Sequence, residues 1–350
     1  MAKSCLSLPP GGGSVELMHL DAGIHYSDLL AVPRLAQAAE AMGIQGLWFS
    51  EIAHDPFLGA ALAAEHTTGA TVGTAIALAF VRSPTSLAYL AWDLARLSGG
   101  RFVLGLGTQV RAHVERRFGM SWDRPAARLR DVVAAVRAVW RCWREGTPLR
   151  HQGPFYSLSL MTPFFTPPPF AGTIPIYLAA VNPTMCRLAG EVADGLHVHP
   201  LHSAAYLRDV VLPAVDRGLR RSGRTRSDFT VAASVVIVSG EGAGWERSAA
   251  QARQTIAFYA STPAYRGVLA HHGWEDVGER LSRLAAAQRW AEMPGLVSDE
   301  MLATFTVLAE PSTVADRLRQ RYAGLLDRVS PYQAFDPDDP LWPALARDLR

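Results

Sequence analysis

Three short stretches of this chain carry side chains suited to chemistry. Glu51 closes the apolar run Gly46-Leu47-Trp48-Phe49-Ser50, and His54 follows three residues later. A carboxylate that orients an imidazole makes an acid/base pair, because an imidazole with an ordinary pKa of about 6.5 can both take and give a proton near neutrality. Ala179-Ala180-Val181-Asn182-Pro183 sets small residues, an amide-bearing cap and a helix-starting proline in succession. Such a turn presents free backbone amides and a helix dipole to a phosphate; the same residues also describe a capped helix with no ligand. His197-Val198-His199 alternates along a strand, which puts both imidazoles on one face. With His54, Asp55 and His202 they form a possible metal set, although two histidines at that spacing are a weak signal. Asp21 ends another apolar run, and Thr108-Gln109 opens a polar stretch behind Gly105-Leu106-Gly107. The two glycines admit a ligand or a neighbouring backbone closely, but without a third they fall short of the dinucleotide fingerprint.

The elements that position these groups alternate. Strands are expected at 17–22, 46–51, 70–80, 101–105, 174–179, 195–199, 229–238 and near 304–307, each followed by a helical stretch. Eight strand–helix units with no internal linker favour an α/β chain folded as one closed (β/α)8 TIM barrel over a doubly wound sheet. The barrel spans 15–330, after a flexible tail at 1–14 and before a C-terminal arm at 331–350. Two insertions interrupt it: a proline-rich excursion at 150–170 with Phe155, Tyr156, Phe164 and Phe165, and a helical stretch at 265–288. In such a barrel the carboxyl ends of the strands hold the functional groups.

Composition narrows the classes further. Nearly half of the 350 residues are hydrophobic and the net charge is +2, too little field for a nucleic-acid partner. Lys3 is the sole lysine, so lysine chemistry and lysine phosphate grips are out of reach elsewhere. Cys5, Cys142 and Cys186 form no CxxC pair, which suits reduced thiols in the cytoplasm. No apolar run reaches the roughly 18–20 residues of a membrane span.

A larger pattern joins these pieces. Gly46-Leu47-Trp48-Phe49-Ser50-Glu51, Gly73-Thr74-Ala75-Ile76 with Arg82-Ser83-Pro84, and Ala91-Trp92-Asp93-Leu94 through Arg101-Phe102 resemble the luciferase-like monooxygenase superfamily. Leu104-Gly105-Leu106-Gly107-Thr108-Gln109 and Ala189-Gly190-Glu191-Val192-Ala193-Asp194-Gly195 follow the same pattern. Within it the chain is similar to the branch that uses the deazaflavin coenzyme F420, over 17–224 and more weakly over 305–329. The resemblance implies a coenzyme in the barrel mouth, its phosphate held around Ala179, Ala180, Val181 and Asn182. His113 falls where a family asparagine meets the deazaflavin, Ala77-Leu78 lies near a strand bulge with a non-prolyl cis peptide, and Glu51 matches an acid facing the ring. Asp21 and Thr108, at strand ends, join the expected coenzyme contacts. Ile52 and Val110 stand where the sugar-phosphate dehydrogenase branch has a histidine and a glutamate, so a sugar phosphate is not expected.

The resulting expectation is an F420-dependent oxidoreductase acting on a small organic substrate, with Glu51 orienting a catalytic His54, in a homodimer or higher homo-oligomer. The alternatives are an FMN-dependent monooxygenase, a metal-dependent barrel hydrolase and a non-catalytic F420-binding protein.

Overall fold

A computed structural model describes residues 18–349; the expected tail at 1–14 and Cys5 lie outside them. Eight parallel strands close on themselves: β1 His19–Gly23, β2 Gly46–Phe49, β3 Thr71–Thr74, β4 Phe102–Gly107, β5 Ile176–Ala180, β6 Gly195–Val198, β7 Thr230–Val238 and β8 Arg328–Pro331. Each pairs with the next in chain order, and β8 returns to β1 with His19 opposite Arg328. The expected TIM barrel is therefore present, with two corrections: the strand expected at 70–80 is Thr71–Thr74, broken before a separate short piece Ala77–Leu78, and the last strand is a different one. The residues near 304–307 do not close the barrel; Thr306–Leu308 pairs sideways with the upper part of β7, Val236 to Val238. Closure falls to β8, which straddles the expected boundary at 330.

The helices begin and end where local chemistry directs. Pro56, Pro84, Pro125 and Pro183 open α2 (Pro56–His66), α3 (Pro84–Leu97), α5 (Pro125–Glu145) and α6 (Pro183–Val192). Gly43 ends α1 (Val32–Met42) in the left-handed conformation that glycine takes at little cost. The short α4 (Arg111–Arg116) follows β4, and α7 (Leu212–Arg221) follows β6. Between β7 and Thr306 the chain makes a helical cap: α8 (Ala243–Ala260), α9 (Glu275–Ala286) and the 3-10 segment Trp290–Leu296. The excursion at 150–170 is a small hairpin, His151–Gln152 against Ser157–Leu158, tied down by Asp131, which accepts from His151 and from the amides of Phe155 and Tyr156. The expected arm carries α10 (Leu341–Asp348), whose Trp342 and Leu345 are fully buried against the barrel.

Inside the barrel the packing is polar at its centre. Trp48, Tyr177 and His197 pack together in tilted and edge-on contacts, and Asp21, 1% exposed, is bonded to Trp48. Asp21 accepts from Arg328 through both oxygens at 2.7 Å and from Trp48 Nε1 at 2.8 Å. The notion of Asp21 as a coenzyme contact at a strand end is corrected by this: it sits mid-strand, saturated by an ion pair that locks β8 to β1.

Candidate functional site

The carboxyl ends of the strands gather one clasp, one helix start and one aromatic cluster. The clasp comes from β2. Ser50 Oγ donates to the Ala75 carbonyl at 2.7 Å, and the Glu51 amide donates to Ile76 at 3.2 Å. Glu51 Oε2 accepts from Leu78 N and from Arg82 Nη1, each at 2.7 Å, while Oε1 accepts from Arg82 Nη2 at 2.9 Å. Arg82 also reaches Asp55 at 2.6 Å. A bidentate guanidinium and a backbone amide occupy three of the roughly four lone-pair sites of this buried carboxylate and hold it turned toward Arg82. The expected Glu51–His54 pair is therefore not formed: His54 stacks on Tyr26 with ring centres 4.8 Å apart. The cis peptide is Ala75–Ile76, just before Ala77–Leu78, and the clasp is what holds it. Arg82 was legible only as part of a motif; its link to Glu51 spans 31 residues, beyond any local signal.

Both glycines of β4 serve packing. A Cβ on Gly105 would stand 1.8 Å from the Thr74 carbonyl oxygen, and one on Gly107 would stand 2.7 Å from Ile76 Cδ1. The close approach is thus by neighbouring chain, the second of the two readings their sequence allowed. Thr108 Oγ1 turns back to the Gln109 carbonyl at 3.2 Å. His113 is exposed on α4. Arg117, four residues on and hence on the same side, donates to the Ile52 carbonyl, so that side meets the loop after β2.

The end of β5 keeps its expected shape. Ala180 and Val181 are buried, and Asn182 caps α6 by accepting from Met185 N at 3.0 Å. Cys186 N donates to the Asn182 carbonyl, and Pro183 has no N–H. The amide of exposed Thr184 has no carbonyl one turn back to use, and residues 179–186 contain no acid.

The cluster was missed. His199 lies just past β6, its amide on the Ala180 carbonyl at 3.3 Å, its ring 4.6 Å from Tyr259 and 4.1 Å from Tyr265. Tyr259 and Tyr332 share a 2.7 Å hydroxyl hydrogen bond. His199 Nδ1 accepts from Leu201 N at 3.1 Å, so its proton resides on Nε2. Burial, helped by His202, lowers the His199 pKa to about 3, and burial with Arg328 nearby lowers that of His197 to about 3. The two imidazoles expected to share a face have separate surroundings, His197 among barrel aromatics and His199 among the tyrosines of the mouth. Among the described residues no three His, Cys, Asp or Glu side chains converge as metal ligands would.

Comparison with known proteins adds a relationship. The family model for luciferase-like monooxygenases matches residues 13–328. An uncharacterised protein of Mycobacterium tuberculosis is 46% identical over 91% of this chain and 94% of its own length. The 5,10-methylenetetrahydromethanopterin reductase of Archaeoglobus fulgidus is 27% identical over 73% of this chain and 74% of its own. The solved coenzyme F420 dependent tetrahydromethanopterin reductase of Methanopyrus kandleri superimposes with a TM-score of 0.75 at 20% identity, covering 94% of this chain and 98% of that one.

Proposed function

The chain belongs to the luciferase-like monooxygenase family, and from that premise we propose that it is an F420-dependent oxidoreductase acting on a small organic substrate. The observation that carries the reading is the turn from β5 into α6. It offers an anion the Thr184 amide and hydroxyl at a helix start, with no acidic side chain from 179 to 186 to repel it. Those donors fit the phosphate of F420, and relatives that share the fold include reductases.

When bound, the deazaflavin gives or takes two electrons as hydride. The residues of the chain do the remainder. Asn182 fixes the turn that receives the phosphate. Ser50, Glu51 and Arg82 hold 75–78 as a rigid wall of the mouth, so Glu51 is a positioning residue rather than the acid. His199, uncharged and with its proton on Nε2, supplies a hydrogen-bond donor to a substrate oxygen without bringing a cation into the mouth. Tyr259 and Tyr265, whose hydroxyl pKa values burial pushes up, stay neutral beside it. His113, on the side of α4 that meets the β2 loop, remains a coenzyme contact in this reading.

The test is a titration of the purified protein with F420 and with FMN, followed by coenzyme fluorescence. The expected result is saturable F420 quenching with FMN at least tenfold weaker, about 1.4 kcal/mol. Equal or tighter FMN binding would replace this reading with the FMN-dependent monooxygenase.

A further inference from the structure

Between α8 and the segment Trp290–Leu296 lies a cavity of about 270 Å³ lined by Gln251, Gln254, Thr255, Phe258, Trp290, Met293, Pro294 and Tyr332. Four of these fall on one side of α8 at the i, i+3, i+4, i+7 spacing of a helix face. The opposite side of α8, with Ala252, Ile256 and Ala260, is buried in the usual way. The cavity side instead carries two amides and a hydroxyl together with Phe258. Phe258 is 53% exposed and Trp290 50%, their ring centres 6.4 Å apart and tilted by 40°. Leaving two large aromatic side chains half in water forgoes the burial that ordinarily stabilises them, and they sit side by side at one opening.

The opening is held in shape. Met293 anchors the 3-10 segment in the core at 2% exposure, and Arg253 bridges from α8 to the Val297 carbonyl. None of the lining side chains is charged. Tyr332 connects the cavity to the barrel mouth: its hydroxyl is bonded to Tyr259, whose ring packs on His199.

We infer that this cleft is a binding site for an uncharged, flat one- or two-ring molecule bearing carbonyl or hydroxyl groups. Phe258 and Trp290, in contact with each other, pack together against one side of the ring, while Gln251, Gln254 and Thr255 pair with its polar edge. The volume lies just below the usual range of about 300–1,000 Å³ for small-molecule sites, which fits a molecule of one or two rings. A charged group there would lose hydration and find no opposite charge among the lining side chains.

The experiment uses the full chain without coenzyme and a matched pair of probes, 2-naphthol and 2-naphthalenesulfonate, by isothermal calorimetry. One naphthol binds saturably, and the sulfonate binds at least tenfold more weakly. Gln251→Leu with Gln254→Leu, and separately Trp290→Ala, weaken naphthol binding at least tenfold while circular dichroism and F420 binding stay as in the parent. Absence of saturable naphthol binding, equal affinity for the sulfonate, or variants that bind like the parent would each overturn the site.

Discussion

Removing the guanidinium from the β2 clasp gives the sharpest check on how the mouth is built. Arg82→Ala leaves the Glu51 carboxylate, 9% exposed, with a single backbone amide for company. Breaking a buried pair from one side costs about 3–5 kcal/mol, because a charge stays behind without compensation. At about 2.1 cal/mol/K of unfolding entropy per residue, 350 residues give about 0.7 kcal/mol/K, so Tm falls by about 4–7 °C. Glu51→Leu combined with Arg82→Leu removes both charges and should recover much of the loss, since a buried pair replaced by apolar groups is often near neutral. The assay is calorimetric unfolding of the parent, Arg82→Ala, the single variants Glu51→Leu and Arg82→Leu, and the double variant. A drop below about 1 °C for Arg82→Ala, or a double variant as unstable as the sum of the singles, would refute the argument. The same series separates positioning from acid chemistry: an acid at Glu51 predicts that Glu51→Gln abolishes turnover with Tm unchanged, whereas the clasp predicts that Tm moves.

Thr184→Glu should act with opposite signs on two measurements. A carboxylate in the first turn of α6 stabilises the helix by about 0.3–1 kcal/mol, while repelling a phosphate seated there, so Tm rises slightly and F420 affinity falls at least threefold; affinity unchanged would place the phosphate elsewhere. The buried imidazoles predict acid sensitivity. His197 and His199, lowered to about 3, and His202, lowered by burial to about 4, bind protons only when unfolded between those values and about 6.5. Their stability contribution is full above pH 6.5 and is lost as pH falls, by about 1.4 kcal/mol per unit for each. Urea unfolding from pH 7 to 5 should therefore show uptake of two to three protons, as about 2–3 in the linkage slope, and His197→Gln should reduce it by one; a slope near zero would refute the assignment. The expected homodimer or higher homo-oligomer can be tested on the outer faces of α2 and α3, which expose Leu58 and Leu97; Leu58→Glu with Leu97→Glu should yield monomers in sedimentation if those faces are the contact, and an unchanged oligomer would exclude them.

Where the sequence was readable, the signal was local. Prolines mark the starts of α2, α3, α5 and α6, joined by capping Asp55, Ser83 and Asn182 at all but α5, and Phe102–Gly107 is buried throughout, as its uniform apolarity implies. Local signals fail where a residue is explained by a distant partner. Arg328-Val329-Ser330-Pro331 does not look like a core strand, because its arginine is acceptable inside a barrel only opposite Asp21, 307 residues away. Glu51 reads as an acid until Arg82 is placed on it. His199 shows its position in the chain, but the tyrosines on its ring come from α8 and from the 3-10 turn Pro263–Tyr265 that follows it. The glycines of β4 read equally as ligand space or as close packing by a neighbouring strand, and only the positions of Thr74, against Gly105, and Ile76, against Gly107, decide between them.

The lock between β1 and β8 also bears on how the chain comes into being. A ribosome adds the residues from 21 to 328 over on the order of 15–60 s at roughly 5–20 per second. Through that interval Asp21 has no guanidinium, and β1 and β7 each expose an edge able to pair with another nascent chain. Assembly from the amino end can lay down half-barrels, but the cooperative core waits for the last strand, so chaperone demand should concentrate in the period before residue 328 emerges.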